Sequence, residues 1–126
     1  MKKFYALGLL LLAACSSPSE AGITKFTVGD NGKTISLSLN QTIDIVLDSN
    51  ASTGFIWNLV TEPDEKILEF VTQEYATSNN LPGAGGVETW EFKAVGAGST
   101  SLKLQYFRPF DPKDIQGEFT LQIQVK

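Results

Sequence analysis

Three short segments carry the residue types that could do chemistry at a surface: Asn50-Ala51-Ser52-Thr53-Gly54-Phe55, Gly83-Ala84-Gly85-Gly86 and Arg108-Pro109-Phe110. Their chemistry would be recognition rather than reaction. Ser52-Thr53-Gly54 is a small polar tip suited to a narrow cleft, with Gly54 supplying a backbone angle that side chains resist. Gly83, Gly85 and Gly86 let a partner's main chain come close, and an extended segment there would pair with it as a peptide does; Leu81 or Val87 beside it suits an apolar pocket. Arg108 and Phe110, turned by Pro109, are residue types that often anchor interfaces. Covalent catalysis has little to work with: the chain has no histidine and a single cysteine, so Ser-His and Cys-His pairs cannot form. A zinc site would have to be built from carboxylates, no calcium-loop spacing occurs, and the glycine segment lacks the Lys-Ser/Thr and helix of a phosphate loop. Asp64, Glu65 and Glu69 read as a solvated stretch rather than a hydrolytic carboxylate pair. The composition therefore points away from an enzyme, and neither metal nor cofactor is expected.

Positioning such segments requires a rigid frame, and the chain supplies one in short runs of period-two alternation. Ile35, Leu37 and Leu39 form one run, Ile43, Ile45 and Leu47 a second, Leu102, Leu104 and Tyr106 a third, and Phe119, Leu121, Ile123 and Val125 a fourth. Alternation of this kind marks strands with one buried face. Turn-forming residues separate the runs at Asp30-Asn31-Gly32, Asp48-Ser49-Asn50, Asn79 to Gly83 and Gly96-Ala97-Gly98. At most one helical turn is expected, at Glu62 to Lys66, ahead of a strand around Ile67 to Val71. Trp57, with Phe55 and Leu59, and Trp90, with Phe92, fall inside alternating stretches and are expected in the core. The pattern predicts an all-β fold, an immunoglobulin-like β-sandwich of seven to eight mostly antiparallel strands. In such a sandwich the connections 48–54, 78–87 and 108–116 gather at one end and form a binding edge. Asn50 is expected to cap its own turn, and Arg108 has Asp111 and Asp114 as surface partners for an ion pair contributing no more than about 1 kcal/mol.

The N-terminus has a different character. Met1-Lys2-Lys3, an apolar run from Phe4 to Ala14 and Leu12-Ala13-Ala14-Cys15 predict a secretory leader over 1–14, too short to span a bilayer. The site resembles the lipobox of bacterial lipoproteins, which makes Cys15 a lipidation site; the plainer reading is an incidental residue or free thiol. Residues 15–22, rich in Ser, Pro and Gly, then form a flexible tether to a domain over 23–126. Acyl chains contribute about 0.8 kcal/mol per buried methylene, enough in pairs or triplets to hold the domain on a membrane. A bacterial cell envelope location follows, at the outer membrane or cell surface or facing the periplasm, and Ser16 in place of Asp is compatible with outer-membrane sorting. Loss of Lys2 and Lys3 with the leader takes the ten basic residues to eight against fourteen acidic ones, a net charge of about −6. With its lysines scattered singly, this surface is not one for nucleic acid. No disulfide is available within the chain, so a monomeric domain must rest on its hydrophobic core.

The three surface segments, taken in order, resemble the chagasin family of cysteine peptidase inhibitors. That family's first pattern, Asn-Pro-Thr-Thr-Gly-aromatic, is met by Asn50, Thr53, Gly54 and Phe55, with Ala51 and Ser52 replacing proline and the first threonine. Its Gly-x-Gly-Gly is met by Gly83, Gly85 and Gly86, and its Arg-Pro-Trp by Arg108 and Pro109, with Phe110 in place of tryptophan. The resemblance covers about residue 23 to the end of the chain. It implies a reversible, non-covalent inhibitor whose three loops enter the active-site cleft of papain-family cysteine peptidases, obstructing the nucleophile without offering a scissile bond. Phe110 lacks the indole area and N–H, which implies binding weaker by about 1 kcal/mol or retuned to another peptidase. The competing expectation is a non-inhibitory envelope module that uses the same edge to hold a protein or glycan.

Overall fold

The computed structural model describes residues 22–126. The leader 1–14, Cys15 and the tether through residue 21 lie outside the described residues. Eight strands follow: β1 (Thr24–Phe26), β2 (Lys33–Leu37), β3 (Thr42–Ser49), β4 (Ile56–Thr61), β5 (Leu68–Thr77), β6 (Gly86–Ala94), β7 (Gly98–Phe107) and β8 (Gly117–Val125). They build two four-stranded sheets, ordered β1-β3-β6-β5 and β2-β8-β7-β4. The short β1 pairs parallel with β3, and β2 parallel with β8, while the other four pairings are antiparallel.

The alternation expected from the sequence is the alternation that packs. Ile43, Ile45 and Leu47 of β3 face Leu102 and Leu104 of β7 and Phe119, Leu121 and Ile123 of β8 in one core, each at most 1% exposed. Burying each such side chain contributes about 1.5–3 kcal/mol, the main source of stability where no disulfide closes the fold. Among the described residues the core runs from Leu37 to Val125 and draws on both sheets, so residues 16–126 carry a core of their own and are expected to fold without the leader. Trp57 and Trp90 belong to it at 8% and 9% exposure, as expected. Their indole N–H groups are both used, donating to the Asp48 carbonyl and the Glu88 carboxylate.

One local expectation is corrected and another is met. Leu39 does not continue the β2 alternation; it is exposed, because the strand ends at Leu37 and the chain turns through Asn40 at φ 71°, with Gln41 N–H donating to the Ser38 carbonyl. Ahead of β5 the chain makes the single turn expected there and no longer helix, with the Asp64 carbonyl accepting from the N–H groups of Ile67 and Leu68 at 2.9 Å. β1, which lacks an alternating run of its own, extends the first sheet beyond β3.

The connectivity decides where the three loop segments go. β5 and β6 form a hairpin in one sheet, β7 and β8 a hairpin in the other, and the chain between β3 and β4 crosses from sheet to sheet. In the ladders Ser49 and Thr77 both pair with Gly86, while Ile56 pairs with Phe107 and Tyr106 with Gly117. All three connections therefore leave the sandwich at the same end.

Candidate functional site

The crossing loop, residues 50–55, is shorter than 48–54 suggested at its entry, because β3 continues through Ser49. It is held as a single 3-10 turn, Ala51–Thr53. Asn50 caps it as expected: its Oδ1 accepts from Ser52 N–H at 3.2 Å and from the Ser52 hydroxyl at 2.6 Å. The Asn50 carbonyl accepts from Thr53 N–H at 3.0 Å and from the Thr53 hydroxyl at 2.6 Å. Gly54 closes the turn at φ 88°, the left-handed region where a Cβ is costly. Ala51, Ser52 and Thr53 consequently stand exposed on a backbone with little freedom.

The second loop, 78–85, opens where Ser78 N–H and Oγ both donate to the Gly85 carbonyl at 2.8 Å. Asn79 Oδ1 then accepts from Leu81 N–H at 2.8 Å, and Ala84 N–H donates to the Leu81 carbonyl at 3.1 Å. Between the last pair lie Pro82 and Gly83, the latter at φ 78°, the residue order of a type II turn. Leu81 is 70% exposed at the tip. The expected extended strip over Gly83 to Gly86 is not what forms. Gly83 lies in a turn, the Gly85 carbonyl is taken by Ser78, and Gly86 is already inside β6. A Cβ on Gly86 would lie 2.1 Å from the Ala76 carbonyl oxygen, so this glycine serves the close approach of β5 to β6.

The third loop, 108–116, begins with a reversal at Pro109-Phe110, closed by Asp111 N–H donating to the Arg108 carbonyl at 2.8 Å. Phe110 is left 78% exposed. Arg108 pairs with neither Asp111 nor Asp114. Its guanidinium lies 4.3 Å from the centroid of the Phe55 ring, and its Nε donates to the Thr53 carbonyl at 3.1 Å. A planar, weakly hydrated guanidinium gains more from a ring face and a fixed carbonyl than from a solvated carboxylate.

The crossing loop thus binds both neighbours. Arg108 ties it to the third loop, and Asn50 Nδ2 ties it to the second by donating to the Gly83 carbonyl at 3.3 Å. Asn50, Ser52, Thr53, Gly54, Phe55, Leu81, Gly83, Gly85, Arg108, Pro109 and Phe110 come together on one edge, with Gly86 at its root.

Three residues under this edge were not read from the sequence as part of the site, Tyr106 having been placed only in an alternating strand. Tyr106 stacks on Phe55 with centroids 5.5 Å apart and accepts at its hydroxyl from Asn50 N–H at 2.8 Å. The Tyr75 hydroxyl accepts from Ala51 N–H at 3.4 Å. Glu88 is 1% exposed on the inner face of β6. The signal for Glu88 was present, since it shares the inward register of Trp90, Phe92 and Ala94. Among the described residues no group of three or more His, Cys, Asp or Glu could hold a metal ion.

Comparison with known proteins places this chain in a family. The sequence profile of the chagasin family peptidase inhibitor I42 matches residues 36–123, a span that includes all three loops. Chagasin of Trypanosoma cruzi is 29% identical over 106 residues, covering 80% of this chain and 96% of chagasin. Amoebiasin-2 of Entamoeba histolytica is 30% identical over 112 residues, covering 88% of this chain and 87% of its own. Among solved structures, a cysteine protease inhibitor from Entamoeba histolytica superposes with a TM-score of 0.73 at 24% identity, covering 82% of this chain and 96% of that one. PbICP-C, solved in complex with falcipain-2, gives a TM-score of 0.60 at 18% identity, with 87% and 95% covered. At those identities the structures speak for the shared sandwich, and the profile and sequence relatives for descent: this chain belongs to the chagasin family of peptidase inhibitors.

Proposed function

We propose that the chain is a reversible, non-covalent inhibitor of papain-like cysteine peptidases, acting by insertion of the three loops into the active-site cleft. The observation that carries this reading is the mutual tethering of the loops, Asn50 to Gly83 on one side and Arg108 to Thr53 on the other. A wedge fixed before contact loses little conformational entropy on binding. The solved complex of PbICP-C with falcipain-2 supports a peptidase as the kind of partner. In this reading Ser52 and Thr53, at the capped tip, occupy the space beside the catalytic cysteine and offer no extended scissile peptide. Leu81 fills an apolar pocket on one wall of the cleft, and Phe110 packs on the other. Phe55 works indirectly, as the platform for Arg108.

The test is titration of residues 16–126 against papain and a cathepsin-L-like enzyme with a fluorogenic peptide, beside a Thr53→Asp, Gly85→Glu double variant. Gly85 has room for a Cβ, which would lie 3.8 Å from the nearest atom, so a side chain can start there without a backbone clash. Nanomolar inhibition lost in the variant, about −12 kcal/mol of binding free energy, is the expected result. No inhibition of either enzyme at tens of micromolar would refute the reading and leave the edge to a different partner.

We further infer lipid anchoring in a bacterial cell envelope, supported by the leader 1–14, the lipobox-like sequence ending at Cys15 and the tether behind it. Metabolic labelling with an alkynyl palmitate is expected to mark the full chain and not its Cys15→Ser variant. Equal labelling of the two would dismiss the anchor.

A further inference from the structure

A carboxylate with no cation partner among the described residues sits beneath the crossing loop. Glu88 Oε2 accepts from the Ser49 hydroxyl at 2.8 Å and from Trp57 N–H at 2.9 Å. Its Oε1 accepts from Trp90 Nε1 at 3.1 Å and from Gln73 Nε2 at 3.2 Å. Four donors thus fill the four lone-pair directions of one carboxylate. No lysine or arginine is among them, and the ion pairs among the described residues, Lys33 with Asp30 and Lys103 with Glu118, lie elsewhere. A carboxylate buried in this way is a poor source of stability, since its desolvation opposes the hydrogen bonds it accepts. Its placement gives it another use.

Ser49 is the last residue of β3 before the crossing loop, and Trp57 the second residue of β4 after it. One oxygen therefore grips both roots of the loop, across the gap between the two sheets. The Trp57 indole adds a second link by donating to the Asp48 carbonyl at 2.9 Å. We propose that Glu88 is a positioning residue for the crossing loop, fixing the separation and twist of its roots so that the Ser52-Thr53 tip stands in its binding geometry. This rests on the reading of that tip as the inhibitory wedge. Glu88 itself is buried and would touch no peptidase.

The chemistry requires a carboxylate at this position. In Glu88→Gln one oxygen becomes an amide NH2 and must face either Trp57 N–H or the Trp90 indole N–H, neither of which can turn away. The Ser49 hydroxyl and the Gln73 amide can reorient, but a main-chain or ring donor is stranded whichever way the new amide is turned.

The experiment compares residues 16–126 with the Glu88→Gln, Ser49→Ala and Gln73→Leu variants. Amide hydrogen exchange at Asn50, Thr53 and Gly54 and inhibition of papain are measured where all four remain folded. Glu88→Gln is expected to speed exchange at those amides at least tenfold and to raise Ki at least tenfold. Ser49→Ala, which frees one root only, should shift both in the same direction by less, and it carries the test if Glu88→Gln fails to fold. Gln73→Leu removes a donor that belongs to neither root of the loop and should lower the melting temperature without either change. Loop exchange in Glu88→Gln equal to the parent, or raised as much by Gln73→Leu, would overturn the proposal. If the parent chain does not inhibit while Glu88→Gln still loosens the loop, the inhibitory reading fails and the positioning role stands.

Discussion

Replacing Gly54 by alanine tests the backbone of the wedge itself. Gly54 has φ 88°, a conformation that costs an L-residue roughly 1–2 kcal/mol. The added Cβ would lie 3.5 Å from two carbons of the Phe110 ring and 3.6 Å from Arg108 Cγ, ordinary contact, so strain enters through the dihedral and not through a clash. Alanine also reduces the freedom of the unfolded chain, an offset of about 0.4–1 kcal/mol. A net loss of about 1 kcal/mol remains, equivalent to roughly 4–8 °C in melting temperature for a domain of this size. Two neighbouring glycines calibrate the argument. Gly85→Ala meets nothing closer than 3.8 Å and has no left-handed angle, so its stability should stay within about 0.5 kcal/mol of the parent. Gly86→Ala drives its Cβ to 2.1 Å from the Ala76 carbonyl oxygen, which is main chain, and should cost about 3 kcal/mol or more. Urea unfolding followed by the fluorescence of the buried Trp57 and Trp90 gives all three values. A Gly54→Ala midpoint equal to the parent's, or a Gly85→Ala loss as large as that of Gly54→Ala, would refute the reasoning.

Phe110→Ala removes a side chain that is 78% exposed, so stability should change by less than about 0.5 kcal/mol while Ki rises at least tenfold; unchanged inhibition would remove Phe110 from the contact surface. Arg108→Lys keeps the charge but loses the Nε donation to the Thr53 carbonyl and the stacking on Phe55, and is expected to inhibit at least tenfold less well. Full potency in that variant would mean that charge alone matters. Asp44, on β3, has a buried Oδ1 without a hydrogen-bond partner; burial pushes its carboxyl above the usual range, Lys25 opposes the rise and Glu74 adds to it. The folded state then holds the proton more tightly than the unfolded chain. The stability from this group is fully present below the unfolded value and is lost as pH climbs through the folded one. Asp44→Asn should therefore melt higher than the parent at pH 7, and the gap should close as pH falls into the carboxylate range. A gap independent of pH would contradict the assignment.

Much of this molecule is written in short-range pattern. Alternation at Ile43-Ile45-Leu47 and Phe119-Leu121-Ile123-Val125 sets which face of a strand meets the core, because side chains on a strand repeat every two residues whatever the neighbours are. Asn50, Pro82-Gly83 and Pro109 specify their turns through contacts within four residues, and the order of the three motifs identifies the family. What the sequence left open lies across long separations. The Asn50 N–H finds Tyr106 fifty-six residues away, and Trp57 N–H finds Glu88 thirty-one residues away. Arg108 had two acidic neighbours in sequence and took neither, since the folded edge offered a ring face and a carbonyl from a loop fifty-five residues earlier. Gly86 reads from the sequence as part of an extended glycine-rich binding segment, whereas in the structure it is a point of close contact between two strands. Local spacing determines strand faces and turns, whereas only the packing of two sheets decides which buried polar group meets which donor, and those meetings set the shape of the three-loop edge.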